Sequence, residues 1–220
     1  MSVQIAQSEI TRFLLEPQPE VLVIKGSWGV GKTYAWQQIL SNANKENKLS
    51  RNRYAYVSLF GVNSLDAFKY ALFEQALPAN MIGESPSIES LKDNTRGLAE
   101  SFGRKTLSVF RGASVLRDFA PAIESLSFLS VKDMLVCVDD LERRGDDLSI
   151  KDVLGIVSLL KEQKSCKVVL ILNEEENNLN EYKKYKEKAI DVEIEFRPTP
   201  EECVDIALDS TTPRNREIRE

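Results

Sequence analysis

Histidine is absent from all 220 residues, which excludes serine–histidine and cysteine–histidine nucleophiles and any histidine-ligated metal. Three cysteines, Cys137, Cys166 and Cys203, lie far apart in apolar surroundings. They fit neither a disulfide framework nor a zinc cluster and are expected in the core. No apolar run reaches the roughly 18–20 residues needed to cross a bilayer, and the N-terminus has no basic-then-apolar targeting segment; a cytoplasmic location is expected. Charge of one sign is lacking too: 34 acidic against 29 basic residues leave a net charge of -5. The surface as a whole is therefore not a polyanion-binding one, and nucleic acid is a partner that the sequence neither indicates nor excludes. Chemistry falls to carboxylates, lysine, arginine, hydroxyls and backbone.

What is present has the composition of an α/β domain, 42% hydrophobic and 29% charged, long enough to bury a sizeable core. Val3, Ile5, Ile10, Phe13 and Leu14 fall near helical spacing, and Pro17 and Pro19 stop that helix. Residues 21–24 are a short apolar run of the kind that forms a buried parallel strand. A helix is expected from about Gly31 to Asn42, and a second strand over 54–60. Leu65, Phe68, Leu72 and Leu77 predict a helix reaching Pro78. Residues 79–130 read as a helical insertion, whose basic residues form a solvated face or meet a membrane surface, nucleic acid or a partner. A third strand over 134–138, a helix around 153–160 and a fourth strand over 167–172 follow. Ile190, Val192, Ile194 and Phe196 alternate with charged residues, the pattern of an edge strand with one wet face. Pro198 opens a last short helix. Residues 1–208 then make one core, and 209–220 a polar tail or the start of a missing C-terminal region.

The run Gly26-Ser27-Trp28-Gly29-Val30-Gly31-Lys32-Thr33 satisfies G-x4-G-K-[ST] in full, between an apolar strand and a helical pattern, the context that gives the motif its meaning. By chance a chain of this length would contain the string on the order of once in a hundred. Consecutive backbone N–H groups wrap a triphosphate, and side chains at Gly26, Gly29 and Gly31 would hinder that approach or the torsions it needs. The helix adds its positive end. Lys32 would reach the β- and γ-phosphates, and the Thr33 hydroxyl would be a Mg²⁺ ligand. Trp28, at the tip of the loop, is expected to pack on that loop, with contact to nucleotide or a partner as the alternative.

About a hundred residues downstream, Leu135-Val136-Cys137-Val138 runs into Asp139-Asp140. An acid at the carboxyl end of a buried strand lies where ligands collect in open α/β sheets, and Mg²⁺ on a phosphate chain needs such a carboxylate. Asp139 is assigned to the metal. Asp140 would orient or deprotonate water, with Glu142 as the alternative base. Asn173 ends the fourth strand as a phosphate sensor or as a cap for a helix starting at Glu174. Arg143 and Arg144 either stabilise phosphate charge, serve a neighbouring subunit, or form surface ion pairs. No D-x-x-G or N-K-x-D motif accompanies them, which favours ATP over GTP.

The string Val138-Asp139-Asp140-Leu141-Glu142-Arg143 resembles the D-D-L-[DE]-R signature of KAP-type P-loop NTPases, relatives of the STAND and AAA+ groups, and the likeness covers about residues 20–208. It implies a three-layer α/β P-loop sandwich with a mainly parallel five-stranded sheet ordered 5-1-4-3-2. It carries nucleotide and metal roles to Lys32, Thr33 and Asp139, a catalytic role to Asp140 and a sensor role to Asn173. KAP proteins often carry membrane spans in the insertion, and here there are none. A helical lid is also missing after the core, which implies a piece of a longer protein whose turnover in isolation is not assured. The leading expectation is an ATPase motor or switch, working as a homo-oligomer or on an attached effector, with a bacterial anti-phage role implied by resemblance. The alternatives are an assembly module that binds ATP with little hydrolysis, and a small-molecule kinase.

Overall fold

The computed structural model describes residues 3–84, 87, 127–173 and 180–204. In chain order these form α1 (Val3–Leu15), β1 (Val21–Gly26), α2 (Lys32–Lys45), β2 (Arg53–Ser58), α3 (Leu65–Glu74), β3 (Ala76–Pro78), β4 (Leu135–Asp139), α4 (Ile150–Lys164), β5 (Lys167–Asn173), α5 (Asn180–Ala189) and β6 (Val192–Glu195). The insertion expected at 79–130 and the tail at 209–220 lie mostly outside the described residues.

One six-stranded sheet has the order β3-β2-β4-β5-β1-β6, parallel except for the β2–β3 pair. Its five parallel strands reproduce the expected 5-1-4-3-2 order, with β6 at one edge. The sixth strand is a correction. The helix predicted to reach Pro78 stops at Glu74, and Ala76-Leu77-Pro78 returns as a short antiparallel edge beside β2. Proline is tolerated at such an edge because no inner ladder needs its missing N–H.

Alternation along the strands divides the core into two layers. Leu22, Ile24, Leu135, Cys137, Val169 and Ile171 pack against α1 and α2 around the fully enclosed Trp36. Val21, Val23, Val136, Val138, Val168 and Leu170 face α3, α4 and α5. Burial on both faces is why β4 and β5 are buried along their whole length and read as continuous apolar runs. Burying each large side chain contributes about 1.5–3 kcal/mol. Ser64 and Ser149 cap α3 and α4 by accepting from the N–H groups of Ala67 and Asp152. By contrast, α2 starts at Gly31 with no side-chain cap. Cys137 and Cys166 are buried as expected, but Cys203 is exposed, in a helical turn beyond the last strand that no described residue covers.

Candidate active site

Register brings the sequence candidates to one end of the sheet. Gly26 at the end of β1 pairs with Asn173 at the end of β5, and Ser58 at the end of β2 pairs with Asp139 at the end of β4. The carboxyl ends of four neighbouring strands thus surround the loop that leads into α2. Gly29 and Gly31 take φ of 73° and 87°, the left-handed region that glycine enters without strain. Gly26 is constrained for another reason: a Cβ there would lie 2.5 Å from the Phe196 carbonyl oxygen beyond β6. The close neighbour at this position is therefore backbone, which the phosphate argument did not anticipate.

Lys32 folds back over the loop, its ammonium donating to the carbonyls of Gly26 and Ser27 at 2.8 Å each. The Thr33 hydroxyl donates to Asp139 Oδ2 at 2.8 Å. Tyr56 OH donates to the same oxygen at 2.9 Å, and the Asp140 N–H donates to Oδ1 at 2.8 Å. Burial raises the Asp139 pKa, against the pull of those three donors. Burial, then the neighbouring Asp139 charge, also raises Tyr56, so the phenol stays a donor.

Asp140 adopts the left-handed conformation, φ 56° and ψ 39°, which turns the chain into a single helical turn over Leu141–Arg143. Its carboxylate accepts from Ser58 Oγ at 2.6 Å. Glu142 accepts from the Asn173 N–H at 3.3 Å, and its pKa is raised first by burial and further by the charges of Asp140 and Asp139. Trp28, Gly29, Lys32, Thr33, Asp139, Asp140, Glu142 and Arg143 together line a cleft of about 160 Å³. Ser27 and Val30 complete the loop from outside that lining, and Asn173 stands behind Glu142.

Three placements bear on alternatives that the sequence reading weighed. Trp28 has a partner from outside its own loop: its ring lies under the Arg143 guanidinium, 3.8 Å from centroid to Cζ. Arg143 makes no surface ion pair among the described residues. Helix α5 begins at Asn180, so the cap role weighed for Asn173 falls on residues 174–179, outside the described residues. Tyr56, Ser58 and Phe60 were not singled out from sequence. The available signal was polar residues alternating at the carboxyl end of the second strand, next to the acidic strand in the expected order.

No family model matches the sequence, and no curated protein matches it. Solved structures are similar to it. Among them are Drosophila ORC bound to GC-rich DNA and Cdc6 (11% identity, TM-score 0.48, covering 94% of this chain and 30% of that one), and Drosophila ORC bound to AT-rich DNA and Cdc6 (12% identity, TM-score 0.47, covering 95% and 31%). The chain spans less than a third of those chains. At that level the likeness says nothing of binding or activity.

The donor set fits a nucleoside triphosphate with a divalent cation. Two oxygens suited to a hard cation, Thr33 Oγ1 and Asp139 Oδ2, already face each other. The lysine next in sequence to Thr33 is held on the carbonyls of Gly26 and Ser27. No helix among the described residues is long and apolar enough to cross a membrane.

Proposed function

We propose that this chain binds Mg²⁺-ATP in the cleft between the 26–33 loop and Asp139, and hydrolyses it as a motor or switch. The observation that carries this reading is the Thr33–Asp139 hydrogen bond, 106 residues apart in sequence, beside the Lys32 ammonium. Independent motifs rarely converge on one pair of oxygens unless the site uses both.

In this reading the N–H groups of the loop and the uncapped start of α2 hold phosphate oxygens. Lys32 exchanges its two carbonyl acceptors for phosphate, and Thr33 and Asp139 hold the cation. A bound Mg²⁺ would neutralise charge on the transferred phosphoryl group. Tyr56 keeps Asp139 oriented. Asp140 and Glu142 are the groups able to take a proton from water, and Asn173 fixes Glu142 through its backbone. The KAP likeness, which D-D-L-E-R narrows from P-loop proteins at large, extends the proposal to a homo-oligomer or an attached effector and to a role in anti-phage defence.

A second reading, ATP-dependent assembly with little hydrolysis, is favoured by the Ser58–Asp140 hydrogen bond, which occupies one oxygen of the base. Equally negligible ATP turnover by wild type and Asp140→Asn would favour it, whereas equal but substantial turnover would remove Asp140 from the mechanism. The test of the site itself is Lys32→Ala. We expect nucleotide affinity to fall about a hundredfold or more by equilibrium binding with the fold retained, because Lys32 donates to the carbonyls of Gly26 and Ser27 in its own loop. Unchanged affinity would refute the site.

A further inference from the structure

The rim of this cleft carries an arrangement that neither fold stability nor metal binding explains. Trp28 is 50% exposed and Phe60 68% exposed, yet both rings lie against one side chain. The Arg143 guanidinium carbon is 3.8 Å from the Trp28 centroid and 5.5 Å from that of Phe60. Asp139, Asp140 and Glu142 line the same cleft, but Arg143 pairs with no carboxylate among the described residues. Arg144 next to it behaves differently, its guanidinium donating to the carbonyls of Leu148 and Leu141 at 2.6 and 3.2 Å.

The main chain under Arg143 is fixed as well. Its N–H donates to Asp140 O at 2.9 Å, its carbonyl accepts from the Gly61 N–H at 3.4 Å, and Gly145 N–H donates to Val62 O at 2.8 Å. The turns after β2 and β4 are thus laced together, which sets Phe60 beside the arginine. A guanidinium stacked on a ring face keeps its N–H donors directed outward in its own plane. The stack therefore restrains the side chain while leaving its edge for oxygens, and Arg143 itself lines the cleft.

We propose that Arg143 contacts the terminal phosphate in its own chain's cleft, and that Trp28, with Phe60 as the second ring, is its positioning residue. A role in a neighbouring subunit would require the arginine to leave both rings and turn away from the lining it belongs to. The inference rests on the ATP-site reading above and deepens it: Trp28 serves through the arginine, and Arg143 reads the phosphate that distinguishes ATP from ADP.

The test compares equilibrium binding of ADP and of a non-hydrolysable ATP analogue, with magnesium, to wild type, Arg143→Ala, Trp28→Ala, Trp28→Phe and the Trp28→Ala/Arg143→Ala double variant. Arg143→Ala should weaken the analogue by about tenfold or more, the scale of a lost charge-assisted hydrogen bond, with ADP changed much less. Trp28→Ala should reproduce most of that selective loss, and Trp28→Phe should restore it. The double variant should be no worse than Arg143→Ala, since a residue acting through another adds nothing once that one is gone. Losses that are equal for ADP and the analogue, or additive in the double variant, would overturn the proposal. Wild type binding neither nucleotide would instead remove the ATP site itself. Both substituted side chains are exposed, and the emission of the buried Trp36 reports that Trp28 variants are folded.

Discussion

The two ends of the parallel strands hold polar groups of opposite kinds. At the amino ends, buried cations are used up on backbone. Arg51 donates to the carbonyls of Pro17 and Ser165 at 2.8 and 3.1 Å, and Lys167 to that of Gln18 at 2.8 Å. At the carboxyl ends, carboxylates crowd one another: burial raises Asp139 and Glu142, and Arg143 next to them is left on aromatic rings. Groups of the first kind close loops, while groups of the second kind line the cleft proposed above as the nucleotide site. The partner distinguishes them, since burial is common to both ends.

Arg51→Ala should give the largest effect at the structural end. It would strip donors from the loops before β1 and β5, and an ion pair with Asp133 at 3.2 Å. Leaving those carbonyls unpaired should cost about 3 kcal/mol, measured by denaturant unfolding. Nucleotide affinity of the folded protein should not change. Arg51→Lys should recover less than half, because one ammonium cannot reach carbonyls on both sides as a planar fork does. An Arg51→Ala protein of normal stability but weak nucleotide binding would break the comparison.

Lys167 is where the contrast is weakest, since it is fully enclosed and burial pushes its ammonium down to about 8. A base whose folded pKa is depressed favours the fold when neutral. Its contribution is therefore present above the unfolded value, about 10.4, and lost as pH falls through about 8. Wild type should gain stability relative to Lys167→Met as pH rises through that window, by on the order of 2 kcal/mol. A constant difference between the two proteins would show that Lys167 stays charged against Gln18 and Phe13.

Both motif strands were legible because each rests on local spacing plus a buried apolar run, and Thr33 meets Asp139 as their strand ends predict; the sheet order followed from the D-D-L-E-R resemblance and not from spacing. What was missed depends on contacts between distant elements. The strand at Ala76–Pro78 pairs with the edge that β2 offers, and Leu77, five residues after Leu72, falls off the helical stripe. Helix α5 buries only Tyr182 and Ala189, so its charged sequence gives little periodic signal. Tyr56 and Ser58 acquire meaning from their register with β4. Trp28 looked like loop packing because its partner, Arg143, lies more than a hundred residues away.

The smallest expected effect tests the functional end through stability. Glu142 has a raised folded pKa, caused first by burial, so its protonated form suits the fold and its ionised form opposes it. The stabilising share is present below the unfolded carboxylate value, about 4.3, and is lost as pH rises through the folded one. At neutral pH, Glu142→Gln should therefore melt higher than wild type by about 1–3 °C without nucleotide, and the gap should close below about pH 4. The glutamine oxygen can still accept from the Asn173 N–H, so the substitution isolates charge from hydrogen bonding. A variant that melts lower at neutral pH would mean that Glu142 belongs with Arg51, as a group spent on holding backbone, and the carboxylates at this end would no longer be alike.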